Sequence, residues 1–179
     1  MTMSFRVYIA MSLDGYIATS DGGVGWLDPF LDEDYGYGQF IHEISHAIMG
    51  RVTYDHVRSV GEWPYPDLGV HILTSGRLDD APEHVERWSE TPLELVRSLD
   101  ASGSDGDCWL IGGGRTIGAF EELDVIDQYE IFVMPVVLGG GVPLFAAPYP
   151  PRTLQLLSVK AWDNGVVRLL YVRPSEEAD

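Results

Sequence analysis

The chain has a single cysteine, Cys108, in 179 residues. That excludes an internal disulfide framework and any cysteine-based zinc cluster. Lysine is as scarce: ten of the 11 basic residues are arginine and only Lys160 is not, against 28 acidic residues, for a net charge of −17. Such a surface repels nucleic acid and anionic membrane, whose binding begins with Lys and Arg neutralising phosphates. Neither is expected as a partner. No apolar run approaches the roughly 18–20 residues of a membrane span. There is no internal repeat, no low-complexity segment and no Pro/Gly/Ser linker long enough to divide the chain. The start, Met1-Thr2-Met3-Ser4-Phe5-Arg6, shows neither the basic stretch nor the apolar stretch of a secretory signal. With 45% hydrophobic residues, the expectation is a cytoplasmic globular protein, one domain over 1–179 with its core at about 5–173.

What is present reads as strands alternating with helices. Phe5-Arg6-Val7-Tyr8-Ile9-Ala10 alternates and is β-rich, and a glycine-rich loop follows through Asp21-Gly22-Gly23-Val24-Gly25-Trp26. Tyr37, Phe40, Ile41, Ile44 and Ile48 recur at helical spacing behind Asp32-Glu33-Asp34, although Ala47-Ile48-Met49 suits a short buried strand ending at Gly50. A helix is expected over Arg51 to Arg58 and a strand over Val70 to Thr74. Thr91-Pro92-Leu93-Glu94 is a capping box with Pro at the first helical position, and Leu93, Val96 and Leu99 supply that helix's apolar stripe. Cys108 to Ile111 is a buried strand running into Gly112-Gly113-Gly114, with a short helix from Arg115-Thr116. Tyr129 to Val137 is a central strand ending at Leu138-Gly139-Gly140-Gly141. Leu154–Trp162 and Val166–Val172 flank Asn164-Gly165, which predicts a hairpin with a type I′ turn. The fold class is α/β, a mixed central sheet flanked by helices with a C-terminal antiparallel hairpin.

Three strand ends have the chemistry of an anion site. Ile111-Gly112-Gly113-Gly114-Arg115-Thr116 is a strand, a glycine turn and a helix start, where backbone N–H groups can meet a pyrophosphate. It is neither GxGxxG nor a P-loop, which would end in Lys-Ser/Thr. Met49-Gly50-Arg51-Val52-Thr53-Tyr54 repeats the pattern with an arginine whose fork matches a phosphate. Leu73-Thr74-Ser75-Gly76-Arg77 offers hydroxyls and another arginine. Ligands of open α/β sheets lie beyond the carboxyl ends of the strands.

These segments carry a resemblance. Ala10-Met11-Ser12-Leu13-Asp14-Gly15-Tyr16-Ile17-Ala18 resembles the opening of the reductase domain of bacterial riboflavin-biosynthesis enzymes. Met49 to Tyr54 resembles the matching segment of that domain and of dihydrofolate reductases, Ile111 to Gly114 their pyrophosphate loop, and Pro135 to Phe145 the strand and loop that follow. The resemblance runs in order from about Phe5 to Val172, nearly the whole chain. It implies a single dihydrofolate-reductase-like domain that binds NADPH and transfers hydride to a C=N or C=O group of a small heterocycle. Carried over by position, Ala10 would meet the nicotinamide, and Gly50, Arg51 and Thr53 would hold cofactor phosphate. Thr74, Ser75 and Arg77 would lie near the adenosine 2′-phosphate, and Ile111, Gly112, Gly113, Gly114, Arg115 and Thr116 would line the pyrophosphate. Ser12, Trp26 and Tyr54 would face the substrate, with Asp14 as the residue that positions it or relays the proton. Ser75-Gly76-Arg77 spaces its hydroxyl and arginine one residue further apart than the usual Ser-Arg pair. No deaminase domain accompanies the motifs, so a bifunctional riboflavin enzyme is not expected.

Two other readings compete. His42-Glu43-Ile44-Ser45-His46 is a literal H-E-x-x-H on an expected helix, the pattern of zinc hydrolases, but no third ligand follows at the expected spacing. No metal is therefore expected. A non-catalytic nucleotide-binding module would keep the phosphate loops and turn over nothing. The small-molecule site is expected in a homodimer, because the hairpin carries Leu154, Leu156, Leu157, Leu169 and Leu170 and relatives of this kind often pair.

Overall fold

A computed structural model describes residues 3–146 and 148–174. Its spine is an eight-stranded sheet. In chain order the elements are β1 (Phe5–Ser12), β2 (Tyr16–Ala18), a 3₁₀ turn (Gly25–Phe30), α1 (Tyr37–His42), β3 (Ile44–Gly50), α2 (Arg51–Val60), β4 (Gly69–Leu73) and β5 (Val85–Trp88). Then come α3 (Pro92–Ser102), β6 (Asp107–Gly112), α4 (Gly114–Glu122), β7 (Ile126–Met134), β8 (Val142–Pro143), β9 (Gln155–Ala161) and β10 (Val167–Val172). The sheet order is β5-β4-β3-β6-β1-β7-β10-β9, with β2 and β8 forming a separate two-stranded ribbon. Six neighbouring strands, β5 to β7 in that order, are mutually parallel, and β10 runs antiparallel to β7 and β9. The mixed α/β class is as expected.

The pleat sorts β1 into two faces. Phe5 and Val7 join Leu95, Leu99, Ile117 and Phe120 beneath α3 and α4. On the other face Tyr8 packs with Phe40, Trp109 and the α2 residue Tyr54, and also with Phe132. Both faces of the parallel strands are therefore covered, and β3, β4 and β6 read as near-continuous apolar runs.

Several elements differ from expectation for local reasons. The H-E-x-x-H segment does not lie on one helix: α1 stops at His42, Glu43 is its C-cap, and Ile44 to Gly50 is strand. Its helical spacing is overridden by pairing, since the Asp107 N–H donates to the Glu43 carbonyl and β3 lies between β4 and β6. Of the three acidic residues before α1 only Asp34 caps, accepting from the Gly36 and Gly38 N–H groups. The apolar stripe of α3 is Leu95, Val96 and Leu99; Leu93 points outward. β7 begins three residues earlier than expected and ends at Met134. The hairpin turn is not type I′, which needs positive φ at both central residues. Here only Gly165 has it (φ 87°), the Gly165 N–H donates to Trp162 O and the Trp162 N–H to Val166 O. That is a three-residue loop with glycine at the bulge. β5, β2 and β8 were not expected from the sequence.

Candidate active site

The carboxyl ends of β1, β3, β4, β6 and β7 all open onto one edge of the sheet, and the loops leaving them build the site. Two helices begin there with glycine N-caps. Gly50 caps α2 and Gly113 caps α4; both have extended backbone and neither makes a side-chain capping bond. By contrast α3 begins with a complete Thr91–Glu94 capping box. First-turn N–H groups of α2 and α4 are thus left for something other than their own side chains.

Close approach explains the glycines. A Cβ at Gly50 would stand 2.8 Å from Thr116 Oγ1, so the end of β3 abuts the first turn of α4. A Cβ at Gly113 would meet Thr53 Oγ1 at 3.7 Å and Ile17 Cδ1 at 3.8 Å. At Gly114 it would collide with the Pro143 carbonyl oxygen, and at Gly141 with that of Ala18. The Gly112–Gly113 peptide is cis, and Gly112 has φ 121°. The structure therefore brings together Gly50, Arg51, Thr53, Gly113, Gly114 and Thr116. Ile111 is part of the β6 core edge, Arg115 is exposed, and the Thr116 side chain is buried against Gly50.

Arg51 reaches across this edge. Its Nε donates to both carboxylate oxygens of Asp55 (2.8 and 2.9 Å), and Nη1 donates to the Arg77 carbonyl (2.7 Å). The guanidinium therefore tethers the loop after β4, which carries Thr74 and Ser75. The side chain of Arg77 itself is 91% exposed, 3.9 Å from Asp79, and turned away from that tether. Two arginines not singled out from sequence border the same loop: Arg87 Nη1 donates to Ser75 O (3.2 Å) and Arg58 Nη2 to Asp80 O (3.3 Å). Arg87 lies on β5, a four-residue strand in which Glu86 and Arg87 leave no apolar run to mark it.

The residues expected to face substrate divide in two. Ser12 is fully buried and its hydroxyl is used by the loop: it accepts from the Tyr16 N–H (2.9 Å) and donates to Asp14 Oδ1 (2.7 Å). It has no surface to offer a ligand. Asp14 Oδ1 also accepts from the Leu138 N–H (3.1 Å) and Oδ2 from the Gly139 N–H (2.7 Å). The Ser12 hydrogen bond, seconded by those of Leu138 and Gly139, holds its carboxyl below the usual carboxylate range. Asp14 is thus an ionised clasp between the loop after β1 and the glycine loop after β7. Trp26 and Tyr54 are different. The Trp26 Nε1 and the Tyr54 hydroxyl are buried without a hydrogen-bond partner among the described residues. Trp26 packs in the cluster that contains Ala10, Phe132 and Met134.

The H-E-x-x-H histidines belong elsewhere. His46 lies near the amino end of β3, where Nδ1 is 3.2 Å from His71 Nε2 and Nε2 is 3.0 Å from Ser104 Oγ. His71 Nδ1 in turn stands 2.7 Å from Glu86, off the N–H line. Among the described residues no three His, Cys, Asp or Glu side chains are grouped to hold a metal ion. No helix among them is long and apolar enough to cross a membrane.

Comparison with known proteins agrees with this architecture. The family model described as the RibD C-terminal domain matches residues 70–168. Uncharacterized protein YwjB of Bacillus subtilis (strain 168) is 37% identical, over 93% of this chain and 96% of its own. The crystal structure of a putative riboflavin biosynthesis protein from Shewanella sp. PV-4 superposes with a TM-score of 0.86 at 29% identity, covering 96% of this chain and 99% of that one. Two more distant structures share the fold. One is the deaminase/5-amino-6-(5-phosphoribosylamino)uracil reductase of Thermotoga maritima (TM-score 0.72, 18% identity, 97% of this chain, 57% of that one). The other is dihydrofolate reductase from Enterococcus faecalis complexed with NADP(H) (TM-score 0.69, 17% identity, 98% and 99%). The glycine-capped strand ends, the family match and the full-length relative converge: this chain belongs to the RibD C-terminal domain family, on a dihydrofolate-reductase-like fold.

Proposed function

We propose that the protein is an NADPH-dependent reductase that delivers hydride to a C=N or C=O carbon of a small heterocyclic substrate. The observation that carries this reading is the pairing of α2 and α4. Two helices start side by side behind glycine caps, with uncapped N–H groups and an arginine at the same edge. Such helix starts suit the phosphates of a dinucleotide. The donor set fits one chemically, because Gly50 and Gly113 let the two helix starts approach closely and leave their first-turn N–H groups without a side-chain cap. When bound, the dihydronicotinamide supplies the hydride. The α4 start would hold the pyrophosphate. Arg51, with Thr74 and Ser75 on the loop it tethers, would hold the 2′-phosphate, and Ala10 would support the nicotinamide end.

Asp14 keeps the two loops that frame the acceptor in register. As a clasped carboxylate it is a poor proton donor at neutral pH, so the proton for the reduced nitrogen or oxygen comes from water admitted at the rim. Titration of the full chain with NADPH and NADH, then a substrate screen followed at the near-ultraviolet absorbance of the reduced cofactor, tests the reading. Failure to bind NADPH overturns it. Binding without turnover of any carbonyl or imine acceptor favours the non-catalytic nucleotide-binding alternative.

A further inference from the structure

Four arginines stand in or beside the loop after β4, and they differ in how far their charge is already engaged. Arg51 is bonded through Nε to both oxygens of Asp55, and Arg77 stands 3.9 Å from Asp79 with its side chain 91% exposed. Arg58 and Arg87 have no carboxylate partner among the described residues. Both bond to backbone instead, Arg58 to Asp80 O (3.3 Å) and Arg87 to Ser75 O (3.2 Å). Ser75 follows directly on the end of β4, whereas Asp80 lies further along the loop.

The strand pleat directs Arg87 to this place. Val85 packs in the cluster that holds Tyr54 of α2 and Ile72 of β4, and Ile72 is the register partner of Arg87. Glu86 and Trp88 turn to the opposite face, toward His71 and the core beneath α3. Arg87 therefore shares the sheet face on which α2 lies, and Arg51 is the first residue of that helix. The two guanidinium groups hold the carbonyls on either side of Gly76, Arg87 that of Ser75 and Arg51 that of Arg77. Thr74 Oγ1 accepts from the Gly76 N–H (3.1 Å), which leaves its hydroxyl hydrogen to donate to a ligand. A Cβ on Gly76 would stand 3.6 Å from Arg51 Nη1, so Arg51 closes on the turn at its glycine. The Arg77 side chain is carried past the turn into solvent.

Resting on the reductase reading, we infer that Arg87 is the second cation of the 2′-phosphate site and, with Arg51, sets a preference for NADPH over NADH, while Arg77, which the family resemblance places there, takes no part. A dianion approaching a chain at −17 needs a local positive charge, and Asp55 already offsets that of Arg51. Arg87 brings to the same turn a guanidinium with no carboxylate paired to it, whose N–H groups beyond the one on Ser75 are unengaged among the described residues. The neighbouring strand thus supplies the cation that the spacing of Ser75 and Arg77 withholds.

The test titrates the full chain and its variants with NADPH and with NADH, by calorimetry at low and high salt. Arg87→Ala lowers NADPH affinity by roughly tenfold to a hundredfold and NADH affinity by about twofold or less. Arg87→Gln, which keeps length and a donor for the Ser75 carbonyl, loses the same NADPH preference, and it serves if alanine loosens the strand. The loss narrows as salt rises. Arg77→Ala leaves NADPH within about twofold, and so does Arg58→Ala, which removes an equal charge further along the loop. Equal losses of NADPH and NADH in the Arg87 variants assign that residue to the loop alone and overturn the inference. So do an Arg77→Ala or Arg58→Ala loss as large as that of Arg87→Ala, or a wild type without preference between the cofactors. In each of those cases the reductase reading stands. A wild type that binds neither cofactor overturns that reading, and the inference with it.

Discussion

At the scale of single residues, Arg51 carries the sharpest consequence. One guanidinium nitrogen is bound to Asp55 and another to the Arg77 carbonyl, so the group is positioned at the start of α2. A charge-assisted contact from it to a 2′-phosphate is worth about 1.5–3 kcal/mol. Arg51→Ala is therefore expected to weaken NADPH roughly tenfold to over a hundredfold, with NADH much less affected and the difference shrinking with salt. Titrating both proteins with both cofactors checks it, and equal losses would move Arg51 to the pyrophosphate or to the fold. Asp14 makes the opposite kind of prediction. A general acid contributes about 10²–10⁴ in rate. A clasp whose carboxylate is ionised at neutral pH contributes through loop position, so Asp14→Asn should cost about tenfold or less in kcat/KM and leave the pH–rate profile in place. A profile that loses a limb would restore Asp14 to proton transfer.

At the scale of elements, the glycine caps and the histidine chain are the informative features. Gly50→Ala would drive a methyl to 2.8 Å from Thr116 Oγ1, so the Thr116 side chain or the starts of α2 and α4 must shift. The expected result is a folded protein whose NADPH affinity drops while the α3 end, with its own capping box, is unchanged. Amide exchange at both helices reads the difference. His46 and His71 predict a pH dependence. Burial is the main cause that lowers both pKa values, with the Glu86 carboxylate opposing it. The folded state thus favours neutral imidazoles, whereas the unfolded chain takes up protons below about 6.5. Their contribution is complete above that value and declines as pH falls through it toward the lowered folded-state values. Thermal unfolding from pH 7.5 to 5 should show that decline, and His46→Gln should flatten it.

These elements also show what sequence can and cannot reveal. The capping box at Thr91, the glycine helix starts at Gly50 and Gly113 and the strand of β6 are local signals, and each was legible. The helix from Tyr37 and the strand at Ala47–Met49 were legible too, but the change between them at Glu43 to His46 was not, because the apolar spacing there suits a helix and a strand equally until β4 and β6 take up the backbone of β3. β5 escaped for a related reason: an edge strand with Glu86 and Arg87 between Val85 and Trp88 lacks an apolar run. Within the site the residue types were readable, but the tether from Arg51 to a carbonyl 26 residues away and the clasp from Asp14 to Gly139 depend on folding. So did the fate of Ser12, which hydrogen bonding consumes inside the loop.

At the scale of the whole molecule, the C-terminal hairpin breaks the acidic pattern. Residues 131–162 contain no Asp or Glu, and β9 is the edge of the sheet with Leu156, Leu157 and Val159 each about half exposed. An open edge with an apolar face and no carboxylates is a natural seam between two copies. Light scattering at tens of micromolar is expected to give twice 19.9 kDa. Leu157→Glu should return it to the monomer while cofactor affinity stays as it was, because β9 lies four strands from β6. A wild-type monomer under those conditions would count against the seam.

The bond from Arg51 to the Arg77 carbonyl has a thermodynamic reach beyond affinity. It fixes the loop after β4 before any nucleotide arrives, so the conformational entropy of that loop is lost during folding and not during association. Calorimetry should then record a binding heat capacity set by buried surface alone, with no added component from loop ordering. In Arg51→Ala the same titration should acquire a more unfavourable entropy and a slower association rate, the marks of a loop that must now settle around its ligand.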